Sequence, residues 1–173
     1  PRVDIVHAHP GMNADLIEAA IRFGARGIVV AGVGDGNMSA AALDVLAKAA
    51  RNGALAEMGT VLSGAKTRIE ALQDGIIADD GWRDIELGFA AIEGAAQVLA
   101  MPEVASIVQR AREFVQPSRY HPELGLNDRA RNLDLFADLV IGLEVHFDDL
   151  RHGRDQQSDS LRIAADCAAA LRF

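Results

Sequence analysis

The chain has 173 residues, 50% of them hydrophobic and 24% charged, a balance typical of a globular protein with one core or two small modules. Its formal net charge of −8 argues against non-specific binding to nucleic acid or to an anionic membrane, because both require a basic surface. The single cysteine, Cys167, excludes an internal disulfide and a cysteine-based zinc site. No run approaches the roughly 18 apolar residues of a membrane helix, and the N-terminus has no signal-peptide pattern, so a cytoplasmic location is expected.

Residues 1–53 alternate between strand and helix signals. The runs at 3–6 and 27–31 are apolar and rich in β-branched residues. The second is uninterrupted, which is typical of a strand that is buried on both faces of a parallel sheet. With short helical connections, the segment is predicted to be a parallel β-α-β-α unit, half of a flavodoxin-like sheet domain.

The predicted helix boundaries in this segment follow from capping residues. Asn13 or Asp15 can cap the first helix, and Gly24 is expected to end it. Ser39 can cap the second helix, and the dipeptide at 52–53, Asn-Gly, is expected to end that one. Two strands cannot bury a sheet alone, so the segment needs neighbouring strands, a helical layer or a partner chain.

Strand signals disappear after residue 53, and apolar residues then recur at helical spacing. Ile141 and Val145 are assigned to the broad apolar stripe of the predicted helix at 128–150. Short turns between the helices predict an antiparallel bundle. The expected fold is therefore α/β joined to all-α, helix dominant, with domains at 1–53 and 54–173. The predicted helices of the second domain span 55–73, 82–100, 102–114, 128–150 and 158–171.

A glycine-rich turn follows the second strand and precedes a helix, where backbone N–H groups can bind an anion. Its residues are Gly32, Gly34, Asp35, Gly36 and Asn37. The spacing is G-x-G-x-G rather than the dinucleotide fingerprint G-x-G-x-x-G, and the aspartate would repel a phosphate. The turn is therefore a candidate ligand loop or, as we favour, a structural turn. No cofactor is predicted.

Residues 1–53 resemble the C-terminal domain of bacterial L-asparaginases. The shared marks are VDIV, PGM, GARGIV, GVGDGN and AALD, in that order along the chain. The resemblance implies part of an asparaginase fold. It does not imply the reaction, because that family uses threonines and a Lys/Asp pair of its N-terminal domain, in TGGTI-like and HGTDT-like motifs that are absent here. Thr60 and Thr67, the only threonines, lie beyond the resemblance in helical sequence.

The segment 87–115, LGFAAIEGAAQVLAMPEVASIVQRAREFV, resembles the signature helix pair of histidine phosphotransfer domains. In that resemblance the phosphoacceptor histidine maps to Ala90 and the following lysine to Glu93. Phosphoryl transfer needs an imidazole nucleophile with a nearby cation, so we expect none here. The packing positions of the motif fall on Phe89, Ile92, Gly94, Ala95 and Leu99.

Residues 133–173 resemble the helical modules of large chemosensory kinases in type IV pilus systems, and of their non-phosphorylated relatives. The likeness is carried mostly by apolar spacing on helices, and a generic bundle with a coincidental likeness stays open as the alternative. Either reading predicts a helical bundle and no phosphoryl acceptance.

Other polar groups are weaker candidates. His7 and His9 share one face of a strand, and a helical run contains Glu144, Asp148, Asp149 and His152. We interpret the first pair as strand-end polar residues and the run as a solvated helix face, so no metal is predicted. His146 is interpreted as a polar residue at a helix boundary, and Cys167 as an inert buried thiol.

No catalytic residue is identified, so an enzyme is not favoured. The first hypothesis is a non-catalytic helical signalling or scaffold module that binds protein, in a fused, recombined or engineered chain. The alternative is an L-asparaginase-type amidohydrolase fragment without its catalytic domain. The expected partner is another protein or a second copy of the chain, as a homodimer through the sheet segment. Nucleic acid and membrane are not expected partners.

Overall fold

A computed structural model describes residues 2–9, 11–32, 38–73, 81–116, 126–154 and 159–172. The backbone forms two compact units, Pro1–Gly53 and Ala54–Phe173. Helix dominates, and a small parallel sheet lies in the first unit, which confirms the predicted α/β plus all-α class. The elements in order are β1 (Val3–His7), α1 (Asp15–Arg22), β2 (Gly27–Ala31), α2 (Ala40–Gln73), α3 (Gly81–Val98), α4 (Pro102–Val115), α5 (Leu126–His152) and α6 (Ser160–Ala170).

In the first unit, β1 and β2 pair in parallel, with Val3 opposite Gly27 and His7 opposite Ala31. One face of this sheet is covered. Val6 is buried there in a small core with Ile17 of α1, and residues from the start of α2 complete it. The parallel pairing requires a crossover, and α1 supplies it.

The other face of the sheet is open. Val3, Ile5 and Val29 alternate toward it, and these side chains are 56%, 65% and 52% exposed. The expectation that the second strand is buried on both faces is therefore wrong for Val29. The apolar run gave no information on which face would be covered, because covering depends on neighbouring elements rather than on the strand itself.

The predicted caps of the first unit are partly right. Gly24 ends α1 with a φ of +82°, a conformation that favours glycine, and its N–H donates to the Ile21 carbonyl. The Ser39 hydroxyl accepts a hydrogen bond from the Ala42 N–H at 3.2 Å and so caps α2 as predicted. The cap of α1 was predicted wrongly. Ala14 is the N-cap residue, and the Asn13 amide donates instead to the Asp15 carboxylate.

The predicted helix end at 52–53 is also wrong, because α2 continues to Gln73. Gly53 does not adopt the positive φ of a helix-ending glycine. A glycine inside a helix costs about 1 kcal/mol. The residues that follow offset this cost, since Leu55, Met58 and Leu62 are all buried in the core of the second unit.

The second unit is built from two helical hairpins and the C-terminal part of α2. In the α3–α4 hairpin, Arg112 near the end of α4 contacts Glu86 and Glu93 of α3, as an antiparallel pair requires. In the α5–α6 hairpin, Asn132 near the start of α5 bonds the backbone of Arg172 just beyond α6. These contacts agree with the predicted antiparallel bundle.

Aromatic rings form the centre of this second core. Phe136 of α5 is fully buried and lies 5.6 Å from Phe89 and 5.2 Å from Phe114, measured between ring centroids. Trp82 packs edge-on against Phe136 at 6.2 Å. Aromatic pairs at such separations add stabilisation beyond the area that they bury. One residue of α5 therefore ties that helix to both helices of the α3–α4 hairpin.

Candidate functional site

Only the first residue of the predicted glycine turn is described. Gly32 follows directly after β2, and the role of the turn as a ligand loop or a structural turn stays a prediction. The sheet ladder extends toward it, because the Ala8 N–H donates to the Ala31 carbonyl at 2.8 Å. The remaining members lie outside the described residues: Gly34, Asp35, Gly36 and Asn37.

Ala90 and Glu93, the two positions to which the phosphotransfer resemblance assigns the acceptor histidine and the lysine, lie on α3. Ala90 is half-buried beside the core residue Phe89, and its side chain is a methyl group. Glu93 lies three residues on and is also half-buried. Its carboxylate accepts a hydrogen bond from Arg112 Nη1 at 3.1 Å. This pair of positions therefore holds no nucleophile and carries a carboxylate that is already engaged by a cation.

Arg112 extends this interaction to a second carboxylate. Its Nε lies 3.8 Å from Glu86 Oε1, which is an ion-pair distance but too long for a hydrogen bond, and the Nε has no hydrogen-bond partner. Two glutamates of α3 thus share one guanidinium from α4. The arrangement joins the two helices of the hairpin, and its three side chains together carry a net charge of −1.

The packing positions of the resemblance are confirmed with one exception. Phe89 and Ile92 are buried, and Ala95 and Leu99 pack against the core. Gly94 is wrong as a packing position, because it is exposed and an added Cβ would meet nothing within 4 Å. The helical phase explains the error, since Gly94 lies seven residues after the exposed Leu87 and therefore on the same outer face of α3.

The acidic run of α5 forms an ion network with Arg154. The guanidinium donates to Asp148 at 2.7 Å and to Asp149 at 3.0 Å, and the second bond is the main cause of a raised Arg154 pKa. His152 Nδ1 lies 2.8 Å from the Asp148 carbonyl oxygen. In the part of the chain that the structure describes, no three His, Cys, Asp or Glu side chains are grouped so that they could hold a metal ion.

Two other polar residues of α5 and α6 are buried. His146 lies inside α5 rather than at its boundary, and it packs against Phe147 with ring centroids 6.1 Å apart. The expectation of a boundary position was wrong because the helix extends from Leu126 to His152. Cys167 is buried as predicted, and burial, with smaller contributions from Asp138 and Asp166, raises the pKa of its thiol.

The sequence reasoning missed a groove between α5 and α6. Ile141 and Val145, assigned to the broad apolar stripe, are 41% and 44% exposed, and Ile163 of α6 is 47% exposed beside them. The core is completed by other residues of α5, among them Phe136 and Leu143, which occupy the inward face. The signal that could have revealed the groove is the i, i+4 spacing of Ile141 and Val145, which forms a second stripe beside the core stripe.

The second unit is a helical bundle, and its family match supports the class of signalling modules. Residues 45–168 match the family model described as FimL C-terminal domain, which is well over half of the chain. The chain therefore belongs to this family of pilus chemosensory domains. The resemblance noted for residues 133–173 is thereby supported.

The first unit matches a different family. Residues 2–77 match the model described as Glutaminase/Asparaginase C-terminal domain. One relative is a protein of Haemophilus influenzae named "Probable L-asparaginase periplasmic", 44% identical over 52 residues. That match covers 30% of this chain, and the chain spans only 15% of the length of this relative. No solved structure matches.

The two family matches overlap at 45–77, a range that includes most of α2. In the described residues, no helix combines the length and the apolar character needed to cross a membrane.

Proposed function

We propose that this chain is a non-catalytic signalling module that acts by binding protein. The observation that carries the proposal is the pair Ala90 and Glu93 at the phosphotransfer-equivalent positions, with Glu93 held by Arg112. The family of the helical unit supports a chemosensory role. We also propose a cytoplasmic location. The relative of the first unit is named a periplasmic protein.

The argument against phosphoryl transfer is chemical. The reaction requires an exposed nucleophile and a cation that stabilises the incoming phosphoryl group. Ala90 offers no nucleophilic atom, and Arg112, the cation that contacts Glu93, is already shared between Glu93 and Glu86. The helices α3 and α4 still present an ordered surface, and protein binding requires such a surface.

Phosphorylation is the first test. The full chain is incubated with acetyl phosphate and, separately, with a histidine kinase and labelled ATP, beside a known histidine phosphotransfer protein as the positive control. We expect no acid-labile label on the chain. A matched variant, Ala90→His with Glu93→Lys, returns both residue types to the helix and tests whether these two positions are the cause. Labelled histidine in the unmodified chain would contradict the proposal.

A second candidate function is that of an amidohydrolase fragment, favoured by the 44% identity of residues in the first unit to an L-asparaginase. Its weakness is the absence of a poised threonine. The Thr60 and Thr67 hydroxyls donate to the carbonyls of Ala56 and Ser63 inside α2, at 3.0 and 3.2 Å. The test is ammonia release from asparagine and glutamine. We expect none, and steady turnover would favour this second candidate over the first.

Self-association is the other part of the proposal. The open sheet face of Val3, Ile5 and Val29 offers an apolar surface that a second copy could cover in a symmetric pair. Sedimentation velocity of the full chain is expected to show a dimer that Ile5→Asp dissociates. The matched control is Leu87→Asp, at a similarly exposed leucine of α3. A chain that is monomeric at all accessible concentrations would remove the homodimer from the proposal.

A fused or engineered origin is proposed from the two family matches.

A further inference from the structure

An open groove lies between α5 and α6. It has a volume of about 720 Å³. Ile141, Val145 and Ile163 line it and are all exposed by 41–47%. Ile141 and Val145 are one helical turn apart, about 6 Å along α5, which matches the spacing of apolar residues on a partner helix.

Close contact of α5 and α6 explains why these aliphatic side chains are at the surface. A Cβ on Gly142 would lie 3.0 Å from the Ser160 carbonyl oxygen and 3.1 Å from the Ala164 Cβ. The two helices therefore touch through their backbones at this point. Larger neighbouring side chains cannot enter the contact, so Ile141 and Ile163 extend outward along the groove.

The charges around the groove are mostly negative. Its charged lining residues are three carboxylates and one guanidinium, Asp138, Asp149, Asp159 and Arg154, a net charge of −2. Arg154 is engaged by Asp148 and Asp149. Arg162, close by on α6, is shared between Asp159 and Asp166 at 3.2 and 3.4 Å. The cations of this surface are thus already paired, whereas its carboxylates are in excess.

We propose that the α5/α6 groove binds an amphipathic helix of a partner protein, with aliphatic residues along one face and lysine or arginine on both flanks. The aliphatic face would cover Ile141, Val145 and Ile163, and the basic flanks would meet Asp138 and Asp159. A second copy of this chain is a poorer occupant of the groove, because the acidic lining favours a basic helix and this chain has an excess of carboxylates. The inference deepens the proposed protein-binding function by naming the surface and the chemistry of the partner.

The test uses the full chain and a synthetic fluorescein-labelled helical peptide, with leucines at i, i+3, i+4 and i+7 and lysines on both flanks. Fluorescence anisotropy is expected to show saturable binding below about 1 mM peptide, weakening as salt is added. A control peptide keeps the leucines and replaces each lysine by glutamate. We expect it to bind about tenfold more weakly or not at all, because the rim carboxylates repel it.

Matched variants locate the binding site. Ile163→Ser is expected to weaken the lysine peptide about tenfold, because the apolar area that the peptide would cover is lost. Val98→Ser makes a similar aliphatic-to-serine change at a more exposed site of α3, outside the groove, and is expected to leave binding unchanged. Circular dichroism melts of both variants check that the exposed substitutions preserve the fold.

Three results of the peptide measurements would overturn the inference: no binding of the lysine peptide, equal binding of the glutamate peptide, or the same loss from Val98→Ser as from Ile163→Ser. A dimer that Ile163→Ser dissociates would also overturn it, since a second copy would then occupy the groove. These failures differ from failure of the proposed function, which labelled histidine or amide hydrolysis would show whether or not the peptide binds.

Discussion

The two units bury their apolar residues to very different extents. The sheet unit covers one face of its two strands and leaves Val3, Ile5 and Val29 open on the other, whereas the helical unit encloses Phe89, Phe136 and Phe147 almost completely. Yet the sheet unit matches a relative at 44% identity over 52 residues. A close match in sequence therefore preserves local shape without guaranteeing a complete core. A two-stranded sheet in a segment of about 50 residues buries little apolar surface unless something covers its second face.

The largest expected effect is at the centre of the helical core. Phe136→Ala removes a ring that contacts Trp82, Phe89 and Phe114, and should lower the free energy of unfolding by about 3–5 kcal/mol. Urea unfolding followed by Trp82 fluorescence measures this loss. The control is Phe23→Ala in the sheet unit, whose ring is mostly exposed, and it should change the stability by less than about 0.5 kcal/mol. Equal losses from both variants would contradict the contrast between the units.

A smaller loss of stability is expected at the hydrogen bonds between the Asn132 side chain and the Arg172 backbone. The buried Asn132 amide donates to the Arg172 carbonyl at 2.7 Å and its oxygen accepts from the Arg172 N–H at 3.3 Å. Asn132→Leu should cost about 1–3 kcal/mol, because both backbone groups lose their side-chain partner. Asn132→Asp keeps the acceptor and should protect the Arg172 amide more than the leucine variant does. Hydrogen exchange at the Arg172 amide gives the measurement. Unchanged protection in both variants would show that Asn132 does not hold the Arg172 backbone.

Two glycines compare a packed with an open position inside the helical unit: Gly142 lies at the contact between α5 and α6, and Gly94 faces open space. Gly142→Ala places a methyl group 3.0 Å from the Ser160 carbonyl oxygen and should destabilise by about 1–3 kcal/mol despite its better helix propensity. Gly94→Ala faces open space and should stabilise by about 0.5–1 kcal/mol. Thermal melts of the two variants should shift in opposite directions. Shifts of the same sign would show that α5 and α6 do not touch at Gly142.

The smallest effect concerns the single thiol. Burial raises the pKa of Cys167, so the folded state favours the neutral thiol. This contribution to stability is fully present below the ordinary thiol pKa and is lost as the pH rises through the raised value. Labelling by a thiol-specific disulfide reagent near neutral pH should be about tenfold slower or more in the native chain than in urea. Rapid labelling of the native chain would mean that α6 leaves the core readily.

Periodicity predicted most of the architecture. The parallel strands, the Gly24 helix end, the Ser39 cap and the helical bundle all follow from local patterns, and the structure has them. The errors lie where packing between elements decides. Gly53 resembles a helix end until the burial of Leu55 is known, and Val29 resembles a core residue until the uncovered face is known.

The candidate site was less predictable than the fold. Ala90 and Glu93 were found from the resemblance, but the partner of Glu93, Arg112, lies on another helix at a distance in sequence that no local pattern reveals. The groove was missed because Ile141 and Val145 fit the core stripe of α5 equally well. Only the close approach of α6 at Gly142 assigns them to the surface, and that approach is a property of two helices together.

The claim that the helical unit supplies its own core is tested most directly by expressing residues 54–173 alone and following their unfolding. A single cooperative melt, with a helical circular dichroism spectrum and a Cys167 thiol protected as in the full chain, is the predicted result. A gradual, non-cooperative melt with an accessible thiol would contradict the claim, because the helical core would then depend on residues 1–53.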